Sequence, residues 1–378
     1  MESSAHGTMA RPEVAAVDGM VRFSFGDGSA VDVPVTALRH SCECAACRHP
    51  SGQRLLDPAT IRPDSQPTDI GVDGDALRVV WMPEGHESVY SVHALTTVEQ
   101  PRAVPTLWDA QAVTSLPVAQ HRAIATDDRD GQSQRLRWLQ GVEQMGCGLL
   151  RGVPIVDGEV ARVAELFGHV RETNYGRWFE VRSVVDPSNL ANTSLGLAAH
   201  TDNPYRDPVP TMQLLHCLES TASGGENMLV DGWRVAEEVR ALQPAGFDLL
   251  VRRGVTFDYR DVDADLSHHA PLIELDTEGM VRSIRFNPRS MRQPSMPADE
   301  LAVWYDAYLL FARLLADPRF QIRLRLDPGD LFIVDNRRVL HGRTAFAATS
   351  GSRHLQGCYA DIDGLRSSIA VLSREAMS

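Results

Sequence analysis

From about residue 193 the chain breaks into short β-prone runs, TMQLLHCLE, ENMLVDGW, VRSIRFN, QIRLRL, LFIVDN and HLQGCYADI, punctuated by Gly, Pro and Asp. Short strands in this number bury their apolar faces only by stacking as a sandwich or closing as a barrel, so the C-terminal part of the chain reads as mainly β. One helix interrupts it, ADELAVWYDAYLLFARLLADP, which is apolar along one face and stopped by Asp-Pro. Upstream, SQRLRWLQGVEQMGC and DGEVARVAELFGHV repeat apolar residues at three- and four-residue spacing, which predicts two amphipathic helices before the sheet begins.

The N-terminal region has a different character. VRFSFGDGSAVDVPVTAL reads as a hairpin turned at Gly-Asp-Gly, and ALRVVWMPEGHESVYSVHAL pairs two strands around Pro83 to Gly85. The Pro-punctuated stretch VEQPRAVPTLWDA then reads as a linker. A chain of 378 residues has room for two domains, and the expected boundary lies near residue 100, giving 1–100 and 101–378. The first dozen residues, small and polar, are read as a tail outside the fold.

Cysteine placement adds a second constraint. Cys42, Cys44 and Cys47 are clustered while Cys147, Cys217 and Cys358 are scattered, a pattern that suits a metal site in a reducing compartment better than disulfides. Either His86 or His93 can complete a Cys3His set, the closed tetrahedral arrangement of structural zinc. A small β domain that buries little apolar surface gains its stability from such an ion.

Composition narrows the function. The formal net charge is −13 and Lys and Arg form no long cluster, which argues against nucleic acid and anionic membrane surfaces as partners. No apolar run reaches the roughly 20 residues that span a bilayer, and the N-terminal stretch lacks the apolar segment of a secretion signal, so the expected location is the cytoplasm.

His200 and Asp202 stand two residues apart, so on a strand both side chains would leave the same face and reach one ion. A lone His-x-Asp triplet is weak evidence, since such triplets arise often by chance. His341, in GDLFIVDNRRVLHGR, supplies a third ligand. Two imidazoles and one carboxylate on one side of an ion leave positions for a chelating oxoacid and for O2, the arrangement of non-haem Fe(II) oxygenases. Arg353, twelve residues after His341, can hold the far carboxylate of 2-oxoglutarate through two parallel hydrogen bonds.

With these residues in place, HTDNPYRDPVPTMQLLHCLE, ASGGENMLVDGW, VDNRRVLHGR and SRHLQGCYADID resemble the γ-butyrobetaine hydroxylases and their relatives among the taurine-dioxygenase-like enzymes, over nearly the whole chain. The resemblance implies a chain mainly β with helices. Its parts would be a double-stranded β-helix (jelly-roll, cupin-like) catalytic domain and a small N-terminal zinc-binding β domain. It further implies Fe(II) on His200, Asp202 and His341, 2-oxoglutarate on Arg353, consumption of O2, ascorbate as reductant in vitro, and a homodimer. It favours His86 over His93 as the fourth zinc ligand.

The resemblance also implies a small quaternary-ammonium substrate. Tyr175, Phe179 and Tyr359 would form an aromatic cage for a trimethylammonium group, and Asn189 and Asn287 would grip an anionic end. The chain departs from the animal enzymes at Asn192 and Asn203, where those carry tyrosines, and at Arg289, a guanidinium beside Asn287. An extra guanidinium suits a phosphonate as well as a carboxylate, so hydroxylation of γ-butyrobetaine and of 2-trimethylaminoethylphosphonate both stand as expectations. A catalytically silent module that binds a quaternary amine or a protein is the reading of another class, and the complete His-Asp-His-Arg set weighs against it.

Overall fold

The computed structural model describes residues 12–96, 105–182, 193–347 and 349–376. The chain forms two compact units, Met1–Ala103 and Val104–Ser378.

The first unit holds β1 (Glu13–Val17), β2 (Met20–Ser24), β3 (Ala30–Pro34), α1 (Val35–His40), β4 (Gln66–Asp73), β5 (Ala76–Met82), β6 (His86–Ser91) and α2 (Val92–Thr96). They make two three-stranded antiparallel sheets, β1-β2-β3 and β4-β5-β6. Alternation sets the buried face: Leu77, Val79 and Trp81 of β5 join Val21, Phe23 and Leu38 in one core with Cys42 and Cys47. Both hairpins form as the sequence predicts.

The second unit contains β7 (Val118–Gln120), α3 (His121–Ile124), α4 (Arg129–Met145), β8 (Cys147–Arg151), α5 (Glu159–Glu165), β9 (Phe179–Arg182), β10 (Leu197–His200), β11 (Met212–Ser220) and β12 (Asn227–Asp231). After them come α6 (Gly232–Leu242), α7 (Pro244–Arg252), β13 (Val255–Arg260), β14 (Asp265–Ala270), β15 (Ile273–Leu275), β16 (Val281–Ile284), α8 (Ala298–Ala316), β17 (Gln321–Leu324), β18 (Leu331–Asp335), β19 (Val339–Arg343), β20 (Arg353–Ala360) and α9 (Ile362–Ala376). A six-stranded sheet, β7-β8-β18-β11-β20-β9, and a four-stranded sheet, β10-β19-β12-β17, form the double-stranded β-helix.

Between these sheets lies a core drawn from both, with Leu215, Phe332 and Leu355 from one and Leu229, Ile322 and Val339 from the other. Helices cover the outer faces. Leu214 and Ile333 point away from that interior into a cluster with Trp138 of α4, Val160 of α5 and Leu365 of α9. Val230 and Leu340 pack with Val235 of α6, Leu250 of α7 and Trp304 of α8. β18 is therefore buried on both faces, which is why its first four residues, LFIV, are continuously apolar. The start of this unit is tied down by a buried ion pair: Arg338 reaches Asp231 at 2.7 Å and donates to the Thr106 carbonyl, while Asp231 accepts from the Trp108 backbone N–H.

Three local expectations differ from the structure. β8 lies between the two predicted helices, because Gly146 adopts φ +73 and stops α4 in the left-handed conformation that turns the chain into the sheet. β10 ends at His200, so Asp202 lies in the bend beyond the strand rather than on it. α6, α7 and α9, which share in covering the sheets, correspond to no element the sequence predicts.

Candidate active site

His200 and His341 are directly opposed across β10 and β19. The His200 Nδ1–H donates to the Ala198 carbonyl at 2.9 Å, and Nε2 stands 3.2 Å from Asp202 Oδ1. His341 Nε2 lies 3.9 Å from the same oxygen. Ligand atoms of all three side chains fall within 4.8 Å of one another, so the bend at Asp202 accomplishes what same-face strand geometry was expected to do. Burial pushes the His341 ring down to about 3, offset only in part by the Asp202 charge, so the imidazole is a neutral ligand without a proton to expel.

Asp202 is held from three sides. Its Oδ2 accepts from Gln213 Nε2 at 2.5 Å and from the Tyr359 hydroxyl at 2.9 Å. Its backbone N–H donates to Asn336 Oδ1, while Asn336 Nδ2 donates to the carbonyls of Asp202 and Pro210. Burial alone would raise its pKa, but the His200 hydrogen bond, the electrostatic pull of the two imidazoles and the Tyr359 hydroxyl outweigh burial and hold the carboxyl well below the usual carboxylate range. Two imidazoles and an ionised carboxylate converging on one point fit a ferrous ion.

The set opens on a cavity lined by Phe179, Leu197, Asn227, Phe332, Arg343 and Arg353, among others. Arg353 is buried at the start of β20 and its Nη2 donates to Asn227 Oδ1 at 3.0 Å. Strand alternation puts Arg353, Leu355, Gly357 and Tyr359 on one face, so the cavity arginine and the tyrosine on Asp202 come from one strand. Gly357 is required there, since a Cβ would meet the Phe179 ring at 2.4 Å. Arg343, which sequence reasoning passed over, also lines the cavity. Its guanidinium donates to the Leu195 carbonyl, and burial together with the Arg353 charge pushes its pKa down to about 10.

The three expected cage aromatics come together. Phe179 lies 5.1 Å from Tyr359 and 6.0 Å from Tyr175, ring centre to ring centre. Two further rings extend the cluster: Tyr259 is 5.7 Å from Tyr175 and stacks on Tyr205 at 4.9 Å. Asn203 follows Asp202 directly and accepts from the Tyr205 hydroxyl at 2.7 Å. Asn287 donates to the Thr201 carbonyl and accepts from the backbone N–H and Nε of Arg289. The Arg289 charge acts on Asp202 and on His341. Asn189 and Asn192 lie outside the described residues.

In the first unit, the sulfurs of Cys42, Cys44 and Cys47 stand 3.4, 3.7 and 3.6 Å from His86 Nε2. His86 opens β6 opposite Trp81, and that register delivers it to the thiols. His93 lies on α2 and is not in this cluster. Burial pushes the Cys47 thiol up to about 11, offset only in part by Arg39, whose Nη1 approaches Cys47 Sγ at 3.8 Å. Three sulfurs and one imidazole, closed off without a vacant position, fit structural zinc.

The sequence profile of the taurine catabolism dioxygenase TauD, TfdA family matches residues 87–359, and that of the gamma-butyrobetaine hydroxylase-like N-terminal domain matches residues 14–96. The chain is 36% identical over 364 residues to a gamma-butyrobetaine dioxygenase of Pseudomonas sp. (strain AK-1), covering 94% of each chain. It is 29% identical over 364 residues to the gamma-butyrobetaine dioxygenase of Homo sapiens, covering 90% of each. With the mitochondrial trimethyllysine dioxygenase of Bos taurus it shares 29% identity over 358 residues, 90% of this chain and 82% of that one.

Proposed function

Because the chain belongs to the TauD/TfdA dioxygenase family, we propose that it hydroxylates a small trimethylammonium compound with an anionic tail, γ-butyrobetaine being the first substrate to test. The observation that carries this reading is the convergence of His200, Asp202 and His341 on a cavity that also takes in Arg353 and Phe179. Relatives named for γ-butyrobetaine and for trimethyllysine, both quaternary amines, support the substrate class.

In this reading His200, Asp202 and His341 hold Fe(II), and Arg353 takes the far carboxylate of 2-oxoglutarate through its guanidinium fork. The bound iron supplies O2 activation, driven by oxidative decarboxylation of 2-oxoglutarate to succinate. The protein's own residues do the positioning. Gln213, Tyr359 and Asn336 fix the carboxylate, and burial keeps His341 neutral. Tyr175, Phe179 and Tyr359, extended by Tyr205 and Tyr259, offer ring faces to the cation at roughly 0.5–2 kcal/mol per contact. Asn203, Asn287 and Arg289 offer donors to the anionic end. Residues 1–100 form the zinc-holding β domain, with Cys42, Cys44, Cys47 and His86 on the ion, and residues 101–378 form the catalytic domain. The reading also includes a cytoplasmic homodimer, which sedimentation of the purified chain tests in its oligomeric part.

The test is aerobic incubation with Fe(II), ascorbate and labelled 2-oxoglutarate, comparing γ-butyrobetaine with 2-trimethylaminoethylphosphonate. Hydroxylated product with matching succinate is the expected result from γ-butyrobetaine. The position of Arg289 beside Asn287 favours the phosphonate as a second reading, and preferential turnover of it would select that one. Succinate at the substrate-free level with both would overturn the proposal.

A further inference from the structure

The two histidines of the metal set stand on strands that are held very differently. β19 lies between β10 and β12, whereas β10 is four residues long and sits at the edge of the sheet. Pairing joins Leu197 to Arg343 and His200 to His341, so three steps along β10 are matched by two along β19, the offset of a bulge. A ladder this short leaves the placement of His200 to contacts outside it.

Beyond His200 the backbone is tied down at once. Thr201 N–H donates to the Phe286 carbonyl at 2.8 Å, Phe286 N–H donates to the Thr201 hydroxyl at 2.9 Å, and Asp202 N–H donates to Asn336. Before Leu197 the tie is a side chain. Arg343 Nε and Nη2 donate to the Leu195 carbonyl at 3.4 and 3.3 Å, and Nη2 also donates to the Thr193 carbonyl. Phe346 N–H adds a bond to the Ser194 carbonyl at 3.1 Å. A rigid planar fork holds two such carbonyls in one orientation, which an ammonium on a flexible stem does not.

Arg343 occupies an unfavourable place for a charge. It is 4% exposed, and burial first, then the charges of Arg353 and Arg289, disfavours its protonated form. It lines the same cavity as His200, Asp202 and His341. An apolar side chain of similar volume would cover the strand without the desolvation penalty of a buried ion. What the guanidinium adds is its grip on the segment that enters β10.

We propose that Arg343 is a positioning residue of the metal centre: by pinning residues 193–195, it holds the bulged edge strand β10 in the register that sets His200 opposite His341. This rests on the reading that His200, Asp202 and His341 hold the metal. Arg343 follows His341 by two residues on the same face of β19, so one strand supplies one imidazole directly and fixes the other through a side chain.

The sign of the expected effect separates position from charge. Removing a cation from beside a divalent ion favours metal binding by Coulomb's law, whereas loosening a ligand weakens it. The experiment is anaerobic titration of the full chain with Mn(II) against a competing chelator. Arg343→Gln raises the dissociation constant about tenfold, and Arg343→Lys, which keeps the charge but loses the fork, raises it by a smaller factor. Arg353→Ala, which removes a cavity charge and no tie to residues 193–195, does not weaken Mn(II). In Co(II)-loaded protein the visible ligand-field bands move in Arg343→Gln and keep their positions in Arg353→Ala. Should Arg343→Gln not fold, Arg343→Lys carries the test alone, and unchanged affinity in it overturns the proposal. Mn(II) binding in Arg343→Gln that is unchanged or tighter, or an equal loss in Arg353→Ala, would overturn it as well. Unmodified protein that binds no Mn(II) would instead remove the metal reading itself.

Discussion

Replacing Tyr359 by Phe removes one hydroxyl and leaves the ring against Phe179, so it isolates what the hydrogen bond to Asp202 contributes to metal binding. The bond is 2.9 Å long and ends on an ionised acceptor, of the kind worth about 1.5–3 kcal/mol. At 1.4 kcal/mol per decade this corresponds to roughly tenfold to a hundredfold in affinity, the range seen when outer-shell partners of metal ligands are removed. Gln213 still donates to the same oxygen, so the expected loss is at the lower end, about tenfold in the dissociation constant for Fe(II) or Mn(II). The pH dependence follows with a definite sign. Asp202 is held below its ordinary pKa and binds metal as the carboxylate; losing a donor lets that pKa rise, so metal is lost on acidification at a higher pH than in the unmodified protein. Anaerobic competition titration against a chelator, at neutral pH and down the acid range, reads both quantities. An affinity within about twofold of the unmodified protein and an unmoved acid limb would show that Tyr359 does not hold the carboxylate, contrary to this reasoning.

Arg353→Ala should raise the KM for 2-oxoglutarate by roughly a hundredfold while changing that for the amine far less, and equal effects on both would remove its role as co-substrate anchor. Cys44→Ser should release zinc and unfold the first unit, seen as rapid proteolysis within residues 12–96; a variant that keeps one zinc per chain by elemental analysis would disprove the Cys3His assignment. His216 is fully buried, and burial pushes its pKa down to about 4 from an unfolded value near 6.5. Protonation therefore favours the unfolded chain, so its share of stability is present above about pH 6.5 and declines by about 3 kcal/mol as pH falls toward 4. His216→Leu should flatten that acid limb in denaturant melts, and an unchanged slope would assign acid sensitivity elsewhere.

Legibility in the sequence followed the range of the interactions. LFIVD announced β18 because a strand buried on both faces needs no polar alternation, and the cysteine trio was visible because its ligands are neighbours in sequence. The choice between His86 and His93 depended on hairpin register, which spacing alone does not fix. His200 and Asp202 were paired for a geometric reason that the bend after β10 replaces, although the ligand set is the same. Tyr205 and Tyr259 gave no signal, since one follows Pro204 in a loop and the other sits on a short hairpin, where neither helical nor strand periodicity marks a residue as facing a site. Gln213 was hidden for a related reason: it lies on a strand of nearly unbroken burial, where only the three-dimensional fold tells a residue facing Asp202 from one facing the helices. Arg353 and Tyr359 could have been linked by their six-residue spacing once both were placed on one strand.

The opposition of His200 and His341 across two antiparallel strands makes iron content a gauge of correct strand registration. Sliding β19 by a single residue would turn His341 toward the covering helices and bring Gly342 or Leu340 into its place, while leaving nearly as many backbone hydrogen bonds. Refolded material could then look native by circular dichroism and still bind less than one equivalent of metal, so stoichiometric loading, rather than secondary-structure content, is the criterion by which preparations of this protein should be judged.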